Sequence, residues 1–82
     1  MNKLIQGLNI DEKLDCRGHL CPVPILMTEE KIAALKAGDV LEVAFTDPGA
    51  KPDLSAWCRV NGQELLGFEN ERLVSFAYIR KA

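Results

Sequence analysis

Positions Ile25, Thr28, Ile32 and Leu35 fall at spacings of three and four, which predicts a helix from Pro24 to about Ala37. Pro24 suits its first position, where a missing N–H costs nothing, while Lys36 lies in the last turn and Gly38 just beyond. Upstream, Lys13-Leu14-Asp15-Cys16 reads as a short strand ended by Gly18. After the helix, Val40 to Thr46 alternates Leu41, Val43 and Phe45 with other residues, the period of a strand. Asp47-Pro48-Gly49 breaks the chain, and a second helix is predicted from Pro52 to Val60, with Asp53 in its first turn and Asn61-Gly62 closing it. Two strands follow, Glu64 to about Phe68 and Leu73 to about Arg80, joined by a turn at Glu69-Asn70-Glu71-Arg72. In the last strand Val74, Phe76 and Tyr78 share one face, and Leu73, Ala77 and Ile79 the other. The segment before Asp11 reads as a tail or a short first element. The order is β-α-β-α-β-β, an α/β two-layer sandwich: a mixed four-stranded sheet with both helices on one face, and Glu42 and Thr46 on the exposed face.

At 82 residues, the chain is one small domain with a modest core. Ten basic and 12 acidic residues leave no net basic surface for nucleic acid, so proteins or small molecules are the expected partners. The longest apolar runs fall far short of the ~20 residues a membrane helix needs, and the opening Met1 to Asn9 lacks a signal-peptide core. Three cysteines, an odd number, fit the reducing cytoplasm better than a disulfide framework. Which of Cys16, Cys21 and Cys58 carries chemistry is then the question.

Cys21-Pro22-Val23-Pro24 is the one segment that does not read as packing. Its prolines restrict the backbone on both sides and are expected to keep Cys21 and Val23 out of helical geometry. The thiol then sits just ahead of a helix start, beside unpaired amides. A helix dipole worth ~0.3–1 kcal/mol would favour the thiolate and bring the thiol somewhat below its ordinary ~8.5. Arg17 and His19 would add positive potential, and Asp15 would oppose it. The single histidine, His19, has no evident orienting partner, so a Cys-His hydrolase is not indicated. A surface thiol on so small a body fits a cysteine that receives a group from one protein and gives it to another.

Leu14-Asp15-Cys16-Arg17-Gly18-His19-Leu20-Cys21-Pro22-Val23-Pro24 resembles the signature of the TusA, or SirA-like, sulfur-carrier family. The likeness continues through Gly38-Asp39, Thr46-Asp47-Pro48, Asp53-Leu54, Trp57-Cys58 and Gly62-Gln63-Glu64-Leu65-Leu66, covering the chain from Leu14 onward as a single domain. It implies the same two-layer fold and a persulfide carried on Cys21, with Pro22, Pro24 and Arg17 as the supporting motif and no metal or cofactor. Sulfur would come from a cysteine desulfurase, a rhodanese or a related donor. It would leave toward tRNA thiolation, molybdenum-cofactor maturation or sulfur oxidation, in half-reactions that need partners and give no stand-alone turnover. A monomer suits such a shuttle. His19 departs from the apolar residue many relatives carry there.

Competing readings attach to the same thiols. Cys16 and Cys21, four residues apart, would make a redox switch if they paired reversibly. Cys16, His19, Cys21 and Cys58 supply zinc-type ligands, but at spacings that match no paired-ligand knuckle. Cys58 beside Trp57 reads as packing, with an auxiliary role in sulfur transfer as the alternative. A non-catalytic module that regulates a partner is the remaining reading.

Overall fold

A computed structural model describes residues 7–82; the Met1–Gln6 part of the expected tail or first element lies outside the described residues. The elements are β1 (Glu12–Cys16), α1 (Val23–Ala33), β2 (Val40–Phe45), α2 (Ala50–Asn61), β3 (Glu64–Glu71) and β4 (Val74–Arg80). This is the expected β-α-β-α-β-β order. The strands form one sheet in the order β1-β2-β4-β3, with β1 parallel to β2 and β4 antiparallel to both its neighbours. β2 and β3 therefore run the same way on either side of β4, and each helix is a crossover between parallel strands.

Strand periodicity divides the sheet into two faces. Leu41, Val43, Phe45, Ala77 and Ile79 are buried on the helix side, where Cys16 closes the end of β1. Each helix buries a stripe at four-residue spacing: Pro24, Thr28 and Ile32 on α1, and Ala50, Leu54 and Cys58 on α2. Each fully buried large apolar side chain in this layer contributes ~1.5–3 kcal/mol. The opposite face is more polar. Glu42 there is half-buried and Thr46 exposed, but Tyr78 is covered, its hydroxyl donating to Glu42 Oε2 at 3.1 Å. Burial and the facing Glu42 carboxylate raise the Tyr78 phenol above its ordinary range.

Local capping moves several boundaries. α1 ends at Ala33 rather than near Ala37, because the amides of Ala34 and Leu35 bond three residues back, to Lys31 and Ile32. Lys81 then satisfies the freed end, donating from Nζ to Leu35 O at 2.6 Å and Ala33 O at 3.4 Å. α2 starts two residues before Pro52, which the first turn tolerates because its N–H would lack an intrahelical partner. It stops at Gly62, whose φ of 70° lets Gln63 N–H reach Cys58 O at 2.9 Å. β3 runs on to Glu71, which moves the final turn to Arg72 and Leu73. Leu73, expected in the last strand on the face of Ala77 and Ile79, is instead 88% exposed at that turn.

Candidate functional site

β1 and β2 are parallel and adjacent, so the loops that leave their carboxyl ends meet at one end of the sheet. Cys21 lies in the first of these loops, and the second holds it in place. Gly18 N–H donates to Thr46 Oγ1 at 3.0 Å, and Cys21 N–H to Asp47 Oδ2 at 2.8 Å. The other oxygen of Asp47 accepts from Gly49 N–H at 3.1 Å, so one carboxylate joins the thiol loop to the start of α2. The Cys21–Pro22 peptide is cis; Pro22 is the N-cap of α1. Pro24 is buried in the second helical position, and Val23 is helical, contrary to the expectation that the prolines would hold it out.

The three cysteines have different surroundings. Cys16 and Cys58 are 0% and 1% exposed within the core, whereas Cys21 is half-buried at its edge, and all three are free thiols. Leu20, Val23 and Leu26 lie exposed around the Cys21 end of α1. Among the described residues, no three His, Cys, Asp or Glu side chains come together as a metal ion's ligands would.

The expected lowering of the Cys21 thiol is reversed. Burial, and the carboxylates of Asp53 and Asp47 facing the sulfur, push it up to about 12. The helix start offers no compensating donor. Pro22 and Pro24 have no N–H, Val23 N–H donates to Leu20 O at 3.0 Å, and the Ile25 and Leu26 amides both donate to Pro22 O at 3.1 Å. Arg17 does not face the thiol either. Its Nε and Nη2 clasp the Asp15 carboxylate at 2.8 and 2.9 Å, holding that acid down at about 2. His19 is exposed, its amide donating to Cys16 O at 3.3 Å.

Thr46, Asp47 and Asp53 belong to the site although the sequence reading, which quotes them within the family likeness, gives them no site role. A positional signal also marks two of them: Thr46-Asp47 directly follows a strand parallel to the one that leads into the cysteine loop.

Fold and site define a class: a small α/β sandwich presenting one accessible cysteine where a Cys-Pro-x-Pro loop enters a helix. The chain belongs to the sulfurtransferase TusA family, whose sequence profile matches residues 12–81. It is 36% identical to the sulfur carrier protein TusA of Pseudomonas syringae pv. syringae, over 99% of this chain and 96% of that protein. It is 44% identical to YrkF of Bacillus subtilis over 83% of this chain, which spans only 37% of YrkF's length. The crystal structure of a SirA-like protein from Desulfitobacterium hafniense has the same fold, with a TM-score of 0.75 at 22% identity, over 84% of this chain and 95% of that one. No helix among the described residues is long and apolar enough to cross a membrane.

Proposed function

We propose that this chain is a sulfur carrier that holds sulfane sulfur as a persulfide on Cys21. The observation that carries the reading is the contrast among its thiols: Cys21 alone is accessible, on a loop fixed at both Gly18 and Cys21, while Cys16 and Cys58 are enclosed. The TusA relative, named as a sulfur carrier, supports it. In loading, the Cys21 sulfur attacks the outer sulfur of a donor persulfide, R–S–SH. The donor's S–S bond breaks and a new one forms on Cys21. The Cys21 proton is taken up by the departing R–S⁻, which leaves as R–SH. Unloading repeats the exchange toward an acceptor, and no external oxidant or reductant enters either step.

The donor in this reading is a cysteine desulfurase, a rhodanese or a related persulfide protein in the cytoplasm. The acceptor belongs to tRNA thiolation, molybdenum-cofactor maturation or sulfur oxidation. Pro22 and Pro24 shape the loop that presents the sulfur. Intact-protein mass spectrometry after incubation with inorganic polysulfide, or with a desulfurase and cysteine, tests the reading. A reductant-labile gain of sulfur is expected in wild type, Cys16→Ser and Cys58→Ser, and none in Cys21→Ser. Sulfur retained in a folded Cys21→Ser protein overturns it.

A further inference from the structure

Within this chain, the means of stabilising a Cys21 thiolate are already committed. The two prolines supply no N–H, the Val23, Ile25 and Leu26 amides are bonded to loop carbonyls, and Cys21 N–H is held by Asp47. Arg17 is paired with Asp15. The groups that act on the sulfur are carboxylates: Asp47 from the β2–α2 loop, whose Oδ2 accepts the Cys21 N–H at 2.8 Å, and Asp53 from the first turn of α2; Lys51 of that turn lies instead over the Phe68 ring, 5.1 Å from its centroid. Sulfur exchange nevertheless requires this sulfur to act as a nucleophile.

Building on the sulfur-carrier reading, we infer that the partner protein exchanging sulfur with Cys21 brings a lysine or arginine side chain against Asp47 and Asp53, and that this contact frees the thiol to ionise. The surface around the site suits such a partner. Asp53 is exposed, Leu20, Val23 and Leu26 can cover the stem of a long basic side chain, and Glu29 and Glu30 extend the negative surface along α1. Alone, the carrier keeps its thiol protonated and slow. Docked, it has its two carboxylates neutralised and its thiolate exposed to the donor sulfur. Specificity follows, because an anionic or neutral surface meeting Cys21 leaves the thiol in its resting form.

Two methanethiosulfonate reagents that differ only in head group, trimethylammonium and sulfonate, test this without an identified partner. The rate of Cys21 modification is followed by mass spectrometry, and the cation-to-anion ratio is divided by the same ratio on N-acetylcysteinamide. About a fivefold or greater preference for the cationic reagent is expected for wild type at low ionic strength. It should fall toward one at high salt and in Asp53→Asn. A wild-type ratio near one overturns the inference, as does a preference untouched by both salt and Asp53→Asn. The salt series on wild type decides between these outcomes even if the variant misfolds. Polysulfide loading of the wild-type protein separates the two ideas: failure of its Cys21 to gain sulfur counts against the carrier reading, whatever the reagent ratio.

Discussion

Cys16 and Cys58 sit among apolar side chains, and burial pushes each thiol up to about 11, the Asp15 charge adding to it for Cys16. Cys21 reaches about 12 by burial and two carboxylates. All three folded-state values lie well above that of a thiol in the unfolded chain, so the folded chain keeps thiol protons that the unfolded chain releases. The resulting stability is fully present below about pH 9 and is lost as pH rises through 11 and 12. The urea midpoint is therefore expected to fall between pH 8 and pH 10.5. Cys21→Ser should keep most of that fall, since the two enclosed thiols remain; a midpoint constant over the interval contradicts the assignment. The position of the accessible thiol was legible in Cys21-Pro22-Val23-Pro24, because prolines ahead of an apolar helical period mark a loop at a helix entrance. Its ionisation was not. Adjacency in sequence placed Arg17 beside the thiol, whereas in space the guanidinium turns back two residues to Asp15. The residues that set the proton's fate, Asp47 and Asp53, stand 26 and 32 positions away in sequence.

α1, β2 and β4 follow from periodicity, while β1 and α2 rested on turn and capping residues such as Gly18, Asp53 and Asn61-Gly62; together these give the element order. What periodicity could not show was where each element stops. The end of α1 depends on Lys81, the next-to-last residue, and the exposure of Leu73 depends on β3 and β4 pairing as far as Glu71 and Val74. Periodicity also treated Thr28 as an ordinary member of the apolar stripe. It is 0% exposed, and its Oγ1 has no hydrogen-bond partner among the described residues. An unsatisfied buried hydroxyl costs ~1–3 kcal/mol, while valine has nearly the same shape and a similar helix propensity. Thr28→Val is thus expected to stabilise the chain by about 1 kcal/mol, raising the midpoint of thermal unfolding by roughly 4–8 °C. Calorimetry checks it: an unchanged or lower midpoint means that the hydroxyl is satisfied in solution.

At the scale of the molecule, the sheet order explains why so small a chain can hold a defined site. β4 lies between β2 and β3, so the last strand ties the parallel pair to the far edge and closes the core beneath both helices. Both crossover helices begin after strands that run in one direction, which gathers the thiol loop, the Thr46-Asp47 loop and the first turn of α2 at one end. Asp47 is the link among them. If it clamps the loop without supporting the sheet, Asp47→Ala should speed amide hydrogen exchange at Cys21 and Gly49 by about tenfold or more. Exchange at Val43, Ala77 and Ile79 should stay at the wild-type rate. Acid should have the same local effect. The amides of Cys21 and Gly49 hold the Asp47 carboxyl below its ordinary 3.8, so the clamp is intact above that value and is lost as pH falls through the lowered one. Protection measured by NMR should therefore decline at Cys21 and Gly49 in acid before it declines in the central strands. A simultaneous loss at both places would mean that Asp47 belongs to the core's cooperative unit, and that the thiol cannot be loosened without unfolding the carrier.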